Sequence, residues 1–134
     1  MEPIVWNDTY SVGINQIDQD HKGLAELINK FAQCAHLGSS DERVINALTG
    51  MLDYAIQHFT REEELLVKYS YPGTNAHMES HKQFMERATF ASFDAMNGEA
   101  DIAELISYLH GWWHTHILQE DMAYKEFLLA QGAA

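Results

Sequence analysis

Apolar residues recur three and four positions apart through most of this chain, which is the pattern of amphipathic helices. The pattern is absent from residues 1–17, which are predicted to form an irregular arm that packs onto a helical body. The arm carries apolar side chains suited to that packing, namely Trp6, Tyr10, Val12, Ile14 and Ile17. The first periodic run contains Leu24, Leu27, Ile28, Phe31 and Ala35, and the second contains Val44, Leu48, Met51, Ala55, Leu65 and Tyr69.

Helix-capping and helix-breaking residues divide the periodic region into four segments. The predicted boundaries are Asp18 as the first cap, Gly38-Ser39-Ser40-Asp41, Pro72 and Gly73 before a cap at Asn75, and Asn97 and Gly98 before Asp101. No segment alternates with period two, so no strand is predicted. Four helices of roughly 19 to 29 residues with short connections predict an all-α fold, an up-down-up-down antiparallel four-helix bundle with an irregular N-terminal arm. The chain is expected to be one domain, with the arm at 1–17 and the bundle at 18–129.

The composition narrows the possible partners. The 134 residues include 20 Asp and Glu against 8 Lys and Arg, which gives a formal net charge of −12. Such a surface repels phosphate backbones and anionic lipids, so neither nucleic-acid binding nor membrane insertion is expected. The sequence contains no run of about 18 apolar residues and begins with neither a basic region nor an apolar signal segment. A cytoplasmic protein is therefore expected.

Seven polar residues interrupt the apolar stripes that the helices should bury. They are His21, His58, Glu62, His77, His81, His116 and Asp121. Counting residues from the predicted helix ends places all seven in one layer of the bundle, provided that the second helix overruns the others. Buried polar groups cost several kcal/mol unless they are paired or ligated. The layer is therefore either a metal site or a set of polar residues that satisfy one another.

Helical spacing indicates how these residues can cooperate. His77 and His81 are four residues apart, as are His58 and Glu62, so each pair leaves one helix face. His116 and Asp121 are five apart and should diverge by about 140° on an α-helix. Asp121 is accordingly expected to reach the layer from the turn below, an offset that suits a carboxylate bridging two metals.

The donor set favours a pair of metal ions. Five imidazoles and two carboxylates are too many donors for one tetrahedral zinc, and the single cysteine rules out an iron–sulfur cluster. Mixed imidazole and carboxylate donors inside a four-helix bundle suit two iron or two manganese ions.

From Trp6 to about Tyr124 the sequence resembles the hemerythrin family, specifically its single-domain bacterial members. Each matching motif is weak alone, but their order and spacing are specific. The motifs are Trp6 with Val12-Gly13-Ile14, Ile17 to Leu24, His58-Phe59-Thr60-Arg61-Glu62-Glu63, Tyr71-Pro72 before His77, His81 and Phe84, and Trp112 before His116-Ile117, Asp121 and Tyr124.

The resemblance implies a non-haem di-iron centre that binds O2 reversibly for transport, storage or delivery. It also implies which residues hold the two irons. One iron would take His77, His81 and His116, the other would take His21 and His58, and Glu62, Asp121 and an oxide or hydroxide would bridge them. The second iron then has an open position for O2.

Three residues are expected to line the O2 pocket because they lie close to ligands in the sequence. They are Phe59, which follows His58, Ile117, which follows His116, and Trp113, one turn before His116. Two positions depart from the family pattern. Asp20 stands where glutamine is usual, which is expected to alter hydrogen bonding around His21. Trp113 stands where leucine is usual. The remaining histidines, His36, His110 and His114, are not expected to be ligands.

Two other functions remain open from the sequence. The same centre could serve an oxidase, a peroxidase or a nitric-oxide-handling enzyme, although ferritin-like di-iron enzymes build their centres mainly from carboxylates. Alternatively, the bundle could be an O2-sensing module. The favoured reading is a monomeric O2 carrier without a catalytic role, which delivers O2 to an O2-consuming enzyme by analogy with the family.

Overall fold

In the computed structural model, which describes residues 2–38 and 40–133, the regular elements of those residues are all helical. Met1, Ser39 and Ala134, which fall in the predicted arm, the predicted first loop and the C-terminus, lie outside the described residues. The helices are α1 (Asn15–Gln33), α2 (Glu42–Lys68), α3 (Thr74–Met96), α4 (Ile102–Thr115), a π-helical segment (His116–Asp121) and α5 (Met122–Ala130), with short 3-10 turns at Asp8–Tyr10 and Ala35–Leu37.

The last three elements form one continuous rod, so the architecture is the predicted all-α four-helix bundle. Helix α1 packs against α2 and α4, and α2 packs against α3. Gly23 of α1 leaves room for the ring of Tyr54 from α2, because a Cβ at residue 23 would overlap the Tyr54 hydroxyl. None of the helices within the described ranges has both the length and the apolar character needed to cross a lipid bilayer.

The apolar core consists of two clusters. The larger includes Leu24, Phe59 and Ile117, and the smaller includes Ile17, Leu66, Tyr124 and the arm residue Val12, all of them buried. In α1, α2 and the C-terminal rod, the buried residues of the two clusters stand seven residues apart, which is about two turns: Ile17 and Leu24, Phe59 and Leu66, Ile117 and Tyr124. His21, Glu62 and Asp121 lie within these intervals, so the fold holds the polar layer between two apolar regions.

Two helix starts differ from the prediction. Helix α1 begins at Asn15, and Asp18 lies in its first turn instead of capping it. The Asp18 carboxylate instead accepts hydrogen bonds from the Ser11 hydroxyl (2.5 Å) and the Val12 N–H (2.9 Å), which fastens the arm to the bundle. Asn75 is likewise inside α3, which begins at Thr74.

The predicted cap at Asp41 and the predicted helix start near Asp101 are confirmed, and Asp101 is itself a cap. Asp41 accepts a hydrogen bond from the N–H of Arg43, and Asp101 accepts one from the N–H of Glu104.

The π-helical segment corrects the expected geometry of the fourth helix. A π-helix bonds residue i to i+5, so residues five apart return to nearly the same side. His116 and Asp121 therefore do not diverge as an α-helix requires, and the His116 Nε2 lies 3.0 Å from the Asp121 Oδ1. Asp121 enters the layer directly and not from the turn below.

Candidate metal centre

Two fully buried carboxylates, Glu62 and Asp121, lie at the middle of the polar layer. The Oε1 of Glu62 faces three imidazoles, at 2.5 Å from the His77 Nε2, 3.1 Å from the His81 Nε2 and 3.7 Å from the His116 Nε2. These three histidines come from α3 and the π-helical segment and form a three-histidine group on one side of Glu62.

The other oxygen of Glu62 faces the remaining two histidines. Its Oε2 lies 3.4 Å from the Nε2 of His58 and 3.5 Å from the Nε2 of His21. His58 precedes Glu62 by one turn of α2, and His21 comes from α1. These two residues form a two-histidine group, so Glu62 spans both groups with one oxygen toward each.

Asp121 spans the same two groups. Its Oδ1 lies 3.0 Å from the Nε2 of His77 and 3.0 Å from the Nε2 of His116, and its Oδ2 lies 2.9 Å from the Nε2 of His21. All five imidazoles thus direct Nε2 inward. The structure brings together all seven residues that the sequence singled out.

The layer retains polar atoms that hydrogen bonds within the protein do not satisfy. Within the described residues, four buried atoms that face the centre lie close to charged neighbours but make no hydrogen bond of good geometry: His21 Nε2, His58 Nε2 and both oxygens of Asp121. Leaving such atoms unpaired in the interior is costly. The potential ligand atoms form two sets, each close enough together to hold one metal ion. One set comes from the three-histidine group and Glu62, and the other comes from the two-histidine group and Glu62. The donor types and the unpaired atoms fit two first-row transition metals.

Carboxylates outside the centre orient three of the five imidazoles. In each case the outer nitrogen, Nδ1, bonds to a carboxylate, which fixes the ring with Nε2 inward and makes it a stronger donor. The pairs are His58 with Asp20 (3.0 Å), His81 with Glu63 (2.9 Å) and His116 with Glu120 (3.0 Å). Asp20, the departure expected to affect His21, therefore acts on His58.

Tyr124 adds a hydrogen bond to Glu62, the carboxylate that spans the two histidine groups. Its buried hydroxyl donates to the Oε2 of Glu62 at 3.0 Å. Burial, followed by the negative charge of Glu62, raises the pKa of Tyr124 well above its ordinary value, so the hydroxyl keeps its proton. Tyr124 thereby fixes the Glu62 oxygen that faces the two-histidine group.

The carboxylates also control the charge of the imidazoles. Burial alone would lower the pKa of His21 and His77, but Asp121 and Glu62 outweigh it and raise both pKa values to about 9. Burial would raise the pKa of Asp121 and Glu62, whereas the surrounding imidazoles hold both well below their ordinary values. Without metal, the layer therefore contains an ionic cluster in which the imidazolium groups of His21 and His77 face the carboxylates of Asp121 and Glu62.

This cluster predicts how the stability of the metal-free protein depends on pH. His21 and His77 titrate near 6.5 when unfolded and at about 9 when folded, so their contribution is complete below pH 6.5 and is lost as the pH rises toward about 9. We expect the urea midpoint of the metal-free protein to fall across this range. A constant or rising midpoint would show that these imidazoles are neutral when folded.

Aromatic rings cover the three-histidine group. Phe59 stacks on His81 with ring centroids 3.9 Å apart, and Trp112 stacks on His116 at 4.4 Å. Of the three predicted pocket residues, Phe59 therefore lies mainly against the three-histidine group. Its ring is tilted and 5.7 Å from that of His58.

The other two predicted pocket residues, Trp113 and Ile117, are buried in the larger apolar cluster. Trp113 lies beside the two-histidine group, where its indole N–H donates to the backbone oxygen of His21 at 3.1 Å.

The other histidines contact backbone carbonyls away from the centre. His36 contacts the oxygen of Gln33, His110 contacts that of Glu2, and His114 contacts that of His110.

The sequence interpretation assigned no role to the outer carboxylates Glu63 and Glu120, or to Arg61, whose guanidinium binds the Asp20 carboxylate. Glu120 could have been found, because it follows His116 by four residues. Glu63 reaches His81 on another helix, so its role depends on the register of α2 against α3, which no local pattern specifies.

Along most of its length the chain is similar to one family of known proteins. Residues 12–128 match the family model of the hemerythrin HHE cation binding domain. A bacteriohemerythrin of Stenotrophomonas maltophilia is 32% identical, over 94% of this chain and 82% of that protein. A hemerythrin-like protein of Naegleria gruberi is 29% identical, over 94% of each chain. A crystal structure of wild-type hemerythrin shares the fold with a TM-score of 0.89 at 22% identity, covering 99% of this chain and 100% of that one.

Proposed function

This chain belongs to the hemerythrin family, whose members bind O2 at a non-haem di-iron centre, and we propose that its buried polar layer is that centre. The observation that carries the assignment is the position of Glu62. Its two oxygens separate five inward imidazoles into groups of three and two. This asymmetry supports one metal position with more protein ligands than the other, and hence one metal position open to O2.

The proposed ligand set follows the two groups. His77, His81 and His116 would hold one iron, His21 and His58 would hold the other, and Glu62 and Asp121 would serve both irons together with an oxide or hydroxide. When bound, the iron pair supplies the open position and the electrons that reversible O2 binding requires. The protein supplies the orientation: carboxylates fix the outer nitrogens of three imidazoles, and Tyr124 fixes the Oε2 of Glu62.

The apolar surroundings are proposed to keep water from the O2 position. Trp113, which bonds to the backbone of His21, closes the two-histidine side, and Ile117 extends the wall. Phe59 contributes from the three-histidine side, where it stacks on His81. Excluding water preserves reversible binding, because side reactions of reactive groups in a site require water and protons.

A carrier or storage role fits this centre better than oxidase chemistry. Five neutral imidazoles and only two carboxylates give the irons less negative charge than a carboxylate-rich site, which disfavours highly oxidised iron. We further propose that the protein acts as a cytoplasmic monomer that delivers O2 to an O2-consuming enzyme. Its net charge of −12 supports a role apart from nucleic acids and anionic membranes.

The decisive measurement is metal content together with O2-dependent absorbance. After expression with sufficient iron, we expect about two irons per chain, in line with the two-metal carboxylate-bridged sites of other bundles. An absorption band should appear in air and disappear under argon, without turnover of substrate when a reductant is present. One zinc per chain without iron would refute the proposed centre, and catalytic turnover would refute the carrier role.

Histidine substitutions on one helix provide a matched test of the ligand set. His114 lies two residues before His116 and bonds to its own helix backbone, so His114→Ala should retain both irons and the O2-dependent band. His116→Ala should lose at least the iron of the three-histidine group and the band. Iron content and spectra of the two variants decide the assignment. An empty site in His114→Ala would mean that the ligand set is wrong.

A further inference from the structure

Asp20 forms a charge pair with Arg61 behind His58, in which the carboxylate is buried and the guanidinium is partly exposed. One carboxylate oxygen of Asp20, Oδ2, contacts the Nδ1 of His58 (3.0 Å) and accepts a bond from the Nε of Arg61 (2.9 Å). The other, Oδ1, accepts bonds from the Nη2 of Arg61 (2.6 Å) and the Nε2 of Gln16 (3.0 Å). The Asp20 side chain is 3% exposed and that of Arg61 is 38% exposed. Both Asp20 oxygens therefore accept hydrogen bonds, and the Arg61 guanidinium binds them in a bidentate arrangement.

The other two outer carboxylates have a different environment. Glu63, behind His81, is 28% exposed, and Glu120, behind His116, is 36% exposed. In the part of the chain that the structure describes, neither has a lysine or arginine within 4 Å, the distance of a salt bridge. Of the three outer carboxylates, Asp20 alone is both buried and paired with a cation among the described residues.

The charge behind an imidazole affects the metal in front of it. A carboxylate that accepts the Nδ1–H bond makes the ring more basic and Nε2 a stronger donor, which favours the ferric over the ferrous ion. A guanidinium bound to that carboxylate withdraws part of its charge. Because Asp20 is buried, solvent screens this balance less than it does at Glu63 and Glu120.

We propose that Asp20 and Arg61 form a positioning pair that orients His58 and sets the ferric–ferrous balance of the two-histidine iron. The inference rests on the proposed function, because it needs an iron bound by His58. Two opposite charges would then act on the same imidazole. The negative charge of Asp20 favours ferric iron, and the positive charge of Arg61 reduces this preference.

A purely structural role is the competing explanation. Asp20 is in α1, whereas His58 and Arg61 are in α2, so the pair could simply fasten two helices together. If the pair only held the two helices together, replacing either residue would lower the free energy of unfolding. The iron potential would then not shift in a direction set by the charge that was removed. The charge model instead requires opposite shifts for the two partners.

The test is the midpoint potential of the iron-loaded protein, measured by spectroelectrochemistry in Asp20→Asn and Arg61→Gln. Asp20→Asn should raise the potential, and Arg61→Gln should lower it. Changing the partner of a metal-bound histidine alters metal affinity by about tenfold or more. A tenfold change in the ratio of ferric to ferrous affinity corresponds to about 59 mV for a one-electron couple. Arg61→Lys should recover most of the wild-type value.

Two controls separate the local effect from net charge. Arg43→Gln removes an arginine that also binds an aspartate, Asp41, but lies at the far end of α2, and Glu64→Gln removes an exposed carboxylate beside the centre. Both should leave the potential within experimental error.

Three outcomes would overturn the inference. Equal potentials in the wild type and both variants would leave the pair as a helix fastening, and shifts in the same direction would exclude the charge model. In both cases the iron centre itself would stand. Failure of the wild-type protein to bind iron would instead refute the proposed function, and this inference with it.

Discussion

Replacement of Glu62 by alanine is expected to abolish iron loading, reducing the content from about two irons per chain to nearly none. Each proposed histidine ligand faces one metal position, and Asp121 lies close to three of the imidazoles. Glu62, in contrast, lies within 3.7 Å of all five imidazole Nε2 atoms. Its removal takes an oxygen donor from both metal positions and leaves Asp121 as the only carboxylate between the groups. Iron analysis of the purified variant tests the expectation.

The adjacent surface provides the control for this experiment. Glu64 is exposed and two residues from Glu62 in the same helix, so Glu64→Ala should retain full iron content. Glu62→Gln keeps the shape of the side chain but removes its charge and one acceptor oxygen, and should also lose most of the iron. If Glu62→Ala kept two irons, the centre would not depend on a bridging glutamate, and the proposed ligand set would have to be abandoned.

The fold could be predicted because local and global signals agree. Apolar periodicity in α2 runs from Val44 through Leu48, Met51 and Ala55, and each of these residues is buried. The helix starts at Asp41 and Asp101 were found because each residue follows a loop and accepts its bond from the start of its own helix. Asp18 misled the prediction because its carboxylate bonds to the arm, a tertiary contact that overrides the capping preference.

The seven residues of the polar layer could be singled out from the sequence for a different reason. Polar residues on an apolar stripe are conspicuous, and a spacing of four residues, as between His58 and Glu62, places both on one helix face. The sequence could not show that His116 and Asp121 share a face, since their relation depends on a π-helical turn that α-helical counting does not contain. The binding partner of Asp20 was also inaccessible, because it depends on how α1 lies against α2.

Trp113→Ala is expected to retain the iron centre but to lose its protection from water. Trp113 is fully buried and contacts the rings of Tyr10, Trp6 and His114 as well as the backbone of His21. Deleting a buried tryptophan leaves a cavity that lowers the free energy of unfolding by about 3 kcal/mol. Because the cavity would adjoin the proposed O2 position, we also expect the variant to lose reversible O2 binding faster than the wild type.

The rate at which the O2-dependent absorption band decays in air, measured for both proteins at one pH and temperature, tests the protective role. Trp113→Phe provides the control, since it keeps an aromatic ring but cannot donate to the His21 carbonyl. If the indole ring acts mainly by filling space, the phenylalanine variant should decay at a rate near that of the wild type. Decay of the alanine variant at the wild-type rate, with its iron content intact, would mean that Trp113 does not guard the O2 position. The lost stability would then reflect core packing alone, because a cavity that admits no water to the centre changes the energy of the fold without changing the chemistry of the site.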